Sequence, residues 1–171
     1  MRVVVGSDHA GWSLKSTAVQ HIHSLGHQVI DVGSYDDKPV DFPDIAQELA
    51  KRILSREADR GIMLCGTGVG AAIAANKIKG IRAAVCHDCH SAHQAVEHDD
   101  VNVLCIGGKI VGSWLAQDLV STYLAATFST DEDCRRRVRK LDAMEAASRL
   151  RGTHSERSSN ESADAEDQDR A

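Results

Sequence analysis

Short β-branched runs alternate along the chain with longer stretches in which apolar residues recur every three or four positions. Val3-Val4-Val5 precedes Leu14, Ala18, Ile22 and Leu25; Val29 to Val32 precedes Ile45, Leu49 and Ile53; Ile62 to Leu64 precedes Ile73. Ala83 to Val85 then precedes a polar helix from Ser91, and Val103 to Ile106 precedes Leu115 and Leu119. Each pair reads as a strand followed by a helix, so the pattern predicts five such units. Strands joined through helices pair in parallel by right-handed crossovers, and their near-continuous apolar character suits a sheet covered on both faces. The expected fold class is therefore α/β, a doubly wound sheet of five parallel strands. Pro43 suits a first helical turn, where its missing N–H costs nothing, and Gly26 and Gly80 stand where helices can end. A last helix from about Asp131 to about Arg149 carries Val138, Leu141 and Met144 on one face, with Arg135, Arg136, Arg139 and Lys140 around them.

Composition narrows the possibilities. With 171 residues the chain can bury one sizeable core, and one domain over 1–150 is expected. Beyond Leu150 apolar side chains almost vanish, so 151–171 cannot repay its ordering entropy by burial and reads as a disordered polar tail. A net charge of -5 offers no basic footprint for nucleic acid or an anionic membrane, which leaves small molecules as the expected partners. Five cysteines are an odd number, and no leader pattern precedes Val3, so free thiols in a reducing cytoplasm are expected. No apolar run approaches the roughly 20 residues of a membrane-spanning helix, and no repeat of solenoid period is apparent.

In an open parallel sheet, ligands bind outside the carboxyl ends of the strands. There the sequence sets Ser7, Asp8, His9 and Gly11 after strand one, Cys65 to Gly70 after strand three, and His87, Asp88 and His90 after strand four, with His98 and Asp99 before strand five. A thiol, a hydroxyl, imidazoles and carboxylates gathered at one edge supply a base or nucleophile and proton shuttles. Gly66-Thr67-Gly68-Val69-Gly70 follows an apolar strand and opens a helix, so its N–H groups can converge on a phosphate or an enediolate. A tight turn that needs glycine only for packing would look the same. Cys65, beside that helix start, is expected to have its thiolate favoured by the dipole and its pKa drawn toward neutrality. Alternatively it is a small buried hydrophobe. His9 and His98 are either solvated surface histidines or proton donors working near neutral pH.

Two other motifs compete. Gly66, Gly68 and Ala71 satisfy a dinucleotide fingerprint, with Asp88 placed 22 residues after Gly66 where a ribose-binding acid belongs. The fingerprint falls on the third strand, however, and too little chain follows for a second nucleotide-binding half and a substrate domain. Cys86-His87-Asp88-Cys89-His90 fits the C-x-x-C-H haem-attachment pattern, and His93 and His98 invite a metal reading. As a strand end entering a helix, this segment reads instead as ordinary loop and helix residues, with no metal.

Taken together, Gly6-Ser7-Asp8-His9-Ala10-Gly11, Cys65 to Gly70, Ala74-Ala75-Asn76-Lys77 and Gly80-Ile81-Arg82-Ala83 resemble type B ribose-5-phosphate isomerases over roughly Met1 to Leu150. That family also contains galactose-6-phosphate and allose-6-phosphate isomerases. The resemblance implies a Rossmann-like domain, a homodimer or homotetramer with sites shared between subunits, a C-terminal helix reaching the partner, and no metal or organic cofactor. It implies that Cys65 moves the proton between C1 and C2, a role taken in some relatives by a glutamate just after the glycine loop, where this chain has Ala71. Gly66, Gly68, Val69 and Gly70 would stabilise a cis-enediolate with their N–H groups. Thr67 would assist proton handling, His98 would open the furanose ring with Asp8 in support, and His9, Lys109 and Arg137 would face the phosphate.

The departures from the family concern the sugar and its phosphate. The Asn that usually follows the ring-opening histidine is Asp99, and the usual Tyr before the second helix's proline is Phe42. Lysine stands at Lys109 in place of arginine, and Asp133 occupies the position four before Arg137 where the family also has arginine. Aspartate repels a phosphate dianion that arginine would grip with two hydrogen bonds. Phosphate recognition is therefore expected to be weaker or altered, and a sugar other than ribose 5-phosphate enters the field. A nucleotide- or anion-binding module without catalysis is the alternative class.

Overall fold

The computed structural model describes residues 1–147. The boundary expected at 150, the tail expected over 151–171 and the final two residues of the expected last helix lie outside the described residues. Five strands alternate with helices: β1 Arg2–Ser7, α1 Trp12–Ser24, β2 Gln28–Asp31, α2 Phe42–Leu54, β3 Arg60–Cys65, α3 Val69–Ala75, β4 Ala83–Val85, α4 Cys89–Asp99, β5 Val103–Gly107 and α5 Ser113–Ala125. A sixth helix, α6, occupies 132–147. The sheet order is β2-β1-β3-β5-β4 and every pairing is parallel, as the crossover argument requires.

Alternation along the strands divides the core into two layers. Val3 and Val5 of β1, Ile62 and Leu64 of β3, and Leu104 and Ile106 of β5 point toward α1, α4 and α5, where they meet Leu14, Ile22, Val96 and Leu119. Val4, Met63, Cys65, Val103 and Cys105 point the other way, onto Ala46, Leu49 and Ala50 of α2 and Ala71, Ala72 and Ala75 of α3. Each fully buried Leu or Ile stabilises the fold by about 1.5–3 kcal/mol. Arg60 closes the first layer by donating to the carbonyls of Tyr123 at 2.5 Å and Ala126 at 2.8 Å, which the end of α5 leaves without helical partners.

The local signals fall where the sequence sets them, with three differences. Pro43 occupies the first turn of α2, and Gly26 and Gly80 have φ of +79° and +82° in turns after α1 and α3. Leu25 caps α1 from outside and is half exposed, because α1 ends at Ser24. Ile73 lies on the outer side of α3, 58% exposed, because this short helix turns its alanines to the sheet and approaches it closely. The polar helix begins at Cys89 rather than Ser91, since the Asp88 carboxylate caps it by accepting from the Ser91 N–H at 2.7 Å.

Candidate active site

Chain order reverses between β1 and β3: the crossover after β1 leads to one side and the crossover after β2 returns to the other. The carboxyl ends of these two adjacent strands therefore flank the crevice where parallel sheets bind ligands. There β1 delivers Ser7 and Asp8 while β3 delivers Cys65, with Ser7 in register with Leu64. The Asp8 N–H continues the ladder by donating to the Leu64 carbonyl at 3.1 Å, which sets its side chain beside Cys65.

Asp8 is 4% exposed and is oriented by its own loop, since Oδ1 accepts from the N–H groups of Ala10 and Gly11, each at 2.9 Å. Its other oxygen, Oδ2, accepts from the Cys65 thiol at 2.9 Å. Gly11 makes this approach possible. A Cβ there would stand 2.3 Å from the Leu64 carbonyl carbon and 2.5 Å from the Cys65 nitrogen, so only glycine fits against the end of β3.

The glycine loop wraps the same sulfur. Gly68 has φ +79° and its Cβ position faces the Ile106 carbonyl carbon at 3.2 Å, so both conformation and space favour glycine. The N–H groups of Thr67 and Gly68 face the Cys65 sulfur, and the Thr67 hydroxyl accepts from the Val69 N–H at 3.3 Å. The turn after β5 fastens the loop from behind: the Gly108 N–H donates to the Cys65 carbonyl at 2.7 Å and the Lys109 N–H to the Gly66 carbonyl at 3.0 Å. The Lys109 stem runs beside Gly66, the Phe42 ring covers Gly70, and His9 stands exposed on the rim, its Nδ1 accepting from the Val40 N–H at 3.4 Å.

The thiol differs from expectation. Burial pushes its pKa above the ordinary value, the hydrogen bond and negative charge of Asp8 push it further, and the opposing Gly68 and Thr67 N–H groups do not restore it. The helix behind the loop has only seven residues. Unliganded, the site thus holds a protonated thiol pointed at a carboxylate, a donor and acceptor already in contact.

The structure does not gather every expected residue at this edge. The α4 helix starts at the carboxyl end of β4 and runs back, so His98 and Asp99 lie at the opposite edge of the sheet, a strand length of roughly 15 Å or more from Cys65. His98 Nε2 lies 3.7 Å from a carboxylate oxygen of Glu97. Arg137 is exposed on α6, 3.8 Å from Asp133, which also pairs with Arg136. The helix bearing Arg137 meets the same amino edge, where Asp142 pairs with Arg82 and Glu145 accepts from the Gly80 N–H. Within one chain the site therefore comprises Asp8, His9, Cys65, the glycine loop and Lys109. Asp88, which the dinucleotide reading needs for a ribose, is occupied as the cap of α4. Sequence reading placed Asp8 with His98 and missed its contact with Cys65. The adjacency of β1 and β3 in the sheet is what creates that contact.

Comparison with known proteins gives a consistent picture. Residues 3–141 match the Ribose/Galactose Isomerase family. The chain is 40% identical over 144 residues to ribose-5-phosphate isomerase B of Escherichia coli, covering 84% of this chain and 96% of that protein. It is 39% identical over 131 residues to a D-erythrulose-4-phosphate isomerase of Pectobacterium atrosepticum, covering 75% and 85%. The solved structure of ribose-5-phosphate isomerase B from Clostridium thermocellum superposes with a TM-score of 0.83 at 42% identity, covering 86% of this chain and 99% of that one.

Proposed function

This chain belongs to the Ribose/Galactose Isomerase family of sugar-phosphate isomerases, and from that premise we propose that it converts ribose 5-phosphate to ribulose 5-phosphate through a cis-enediolate, with Cys65 as the base. The observation that carries the reading is the Cys65 thiol held 2.9 Å from Asp8 at the mouth of a glycine loop whose N–H groups face the sulfur.

The reaction needs no external oxidant or reductant. His98 donates a proton to the ring oxygen as the C1 hydroxyl gives its own to water, which opens the furanose to the aldehyde and leaves the overall proton count unchanged. Cys65, its proton passed to Asp8, takes the proton from C2. The C2 electron pair forms the C1–C2 double bond and the aldehyde oxygen becomes anionic beside the loop N–H groups. Return of the proton to C1, as the O2 hydroxyl gives up its proton, leaves the ketone at C2. Preorganised N–H donors in a dry pocket stabilise such developing charge strongly, and Thr67 is placed at the loop to pass protons between the two oxygens. Asp8 thus acts on the thiol it touches, a role closer to the chemistry than support of ring opening.

His98, Asp99 and Arg137 reach the site from a second copy of the chain. Their place at the opposite edge of the sheet excludes them from the Cys65 site of their own chain, and the outward Val69 and Ile73 of α3, 52% and 58% exposed, give a second copy an apolar surface beside the loop. In this assembly Arg137, Lys109 and His9 bind the phosphate while Asp99 meets a sugar hydroxyl. The expected compartment is the cytoplasm, in keeping with the free thiols of Cys65, Cys86, Cys89, Cys105 and Cys134. No described helix is long and apolar enough to cross a membrane.

A tetrose or hexose phosphate is the second reading, favoured by Phe42, Asp99 and Asp133 at sugar- and phosphate-facing positions. Turnover of tetrose, pentose and hexose phosphates by wild type and Cys65→Ala separates the two. Fastest turnover of ribose 5-phosphate, lost in Cys65→Ala, supports the proposal. Preference for another sugar moves the assignment within the family, and no turnover of any sugar sinks the catalytic reading.

A further inference from the structure

The segment that resembles a haem-attachment motif contains a residue that the mechanism leaves unused. Residues of β5, and Gly108 just after it, alternate in the direction of their backbone groups. Those facing β3 include Gly108, whose N–H donates to the Cys65 carbonyl; those facing β4 include Val103, whose N–H donates to the Arg82 carbonyl, and Cys105, whose carbonyl accepts from the Cys86 N–H. Gly107 faces β4 as well, but β4 ends at Val85 and the chain turns into α4, so no strand carbonyl remains for its N–H. The imidazole of His87 takes that place, with Nε2 accepting from the Gly107 N–H at 3.0 Å. A Cβ on Gly107 would stand 2.9 Å from this nitrogen and 2.9 Å from the Thr67 carbonyl carbon, so ring, turn and glycine loop are stacked with no space between them.

We propose that His87 is a positioning residue for the isomerase site: its unprotonated Nε2 anchors the Gly107-Gly108-Lys109 turn, which in turn fixes the carbonyls of Cys65 and Gly66 and hence the base and its anion loop. A backbone N–H can only donate, so the contact requires the tautomer with its proton on Nδ1. Removal of the acceptor leaves a buried N–H without a partner and releases the fastening that holds the turn on the β4 side among the described residues. The catalytic part of this inference rests on the isomerase reading; the anchoring bond does not.

Two variants test it with ribose 5-phosphate as the probe. His87→Leu removes the acceptor, while His87→Gln returns an oxygen at about the reach of Nε2. The expected result is a roughly tenfold fall in kcat per folded protein for His87→Leu, with recovery of most of it in His87→Gln. Amide exchange at Gly107 is expected to be slow in wild type and His87→Gln and faster in His87→Leu. Equal activity of His87→Leu and wild type, or equal impairment of both variants, overturns the positioning role while leaving the isomerase intact. Wild type inert on every sugar phosphate overturns the isomerase reading and the catalytic role with it. Should His87→Leu fail to fold, imidazole ¹⁵N spectra of the wild type decide: an Nε2 carrying a proton, or lacking coupling to the Gly107 amide, overturns the anchor.

Discussion

Replacement of Gly11 by alanine tests how closely the site depends on the seating of α1 against β3. Gly11 has φ −98° as the cap of α1, a conformation open to alanine, so the substitution acts through space alone. Its Cβ would meet the Leu64 carbonyl carbon at 2.3 Å and the Leu64 oxygen and Cys65 nitrogen at 2.5 Å. These are backbone atoms of a strand paired on both sides, and no side chain can rotate away. Overpacking costs about 1–3 kcal/mol, and a rigid obstacle of this kind belongs near ~3 kcal/mol. In a domain of this size that corresponds to a fall in Tm of roughly 6–12 °C. The relief available is a shift of the Asp8–Gly11 loop away from Cys65, and a misplacement of ~1 Å in an oriented pair costs on the order of 100-fold in rate. Thermal unfolding by circular dichroism and kcat/KM with ribose 5-phosphate read both effects. Gly112→Ala, at φ −81° with nothing within 4 Å of the new Cβ, is the control, expected to cost less than about 1 kcal/mol. A Gly11→Ala protein with the wild-type Tm and rate would refute this account of the packing.

The raised pKa of the Cys65 thiol keeps its proton in the site, and since that proton passes to Asp8 with no change in the number bound, kcat/KM is expected to stay level through neutrality until the thiol itself titrates; a steady climb across the neutral range would mean that the proton must first leave for solvent. The corresponding stability is fully present below the unfolded thiol pKa and is lost as pH rises through the folded one. Asp8→Asn removes the charge that holds the proton on sulfur: alkylation of Cys65 near neutral pH, followed by peptide mass, should accelerate while isomerisation falls, and slower alkylation would contradict the contact. Mixing Cys65→Ala with His98→Ala, each inert alone, should restore about a quarter of wild-type activity if the site spans two copies, because only mixed dimers contain one intact site in two; no recovery would place His98 in its own chain's chemistry or outside it. Phe42→Tyr adds a hydroxyl at the ring edge, which lies 3.0 Å from the Cβ position of Gly70. The kcat/KM ratio between ribose 5-phosphate and a tetrose phosphate should shift by about tenfold toward the substrate that bonds it, and an unchanged ratio would remove this ring from specificity.

Much of the fold is legible in the sequence because strand and helix periodicities differ. Val3-Val4-Val5 and Ile62 to Leu64 can only be short buried strands, and the intervening helical spacings dictate parallel pairing. Ile73 misled because α3 buries alanines, whose small size carries little periodic signal. The glycine loop and Cys65 were visible as a local motif. The Asp8–Cys65 bond was not, since it depends on β1 and β3 lying side by side, a property of strand order that no local pattern encodes. The direction of the thiol's pKa was hidden for the same reason: the loop promised stabilisation of the thiolate, while burial and the facing carboxylate arise only after folding. His98 and Asp99 illustrate the converse limit. Their types announce chemistry, but the sense of α4 carries them to the far edge, away from the Cys65 site of their own chain.

The most direct test of Cys65 as the base is the fate of the proton at C2. Ribose 5-phosphate incubated with enzyme in D₂O and followed by ¹H NMR should acquire deuterium at the exchanging carbons with wild type, and Cys65→Ala, folded to the same Tm, should show neither exchange nor ketose. Exchange at the wild-type rate in Cys65→Ala would assign the base to another residue and contradict the account at its centre.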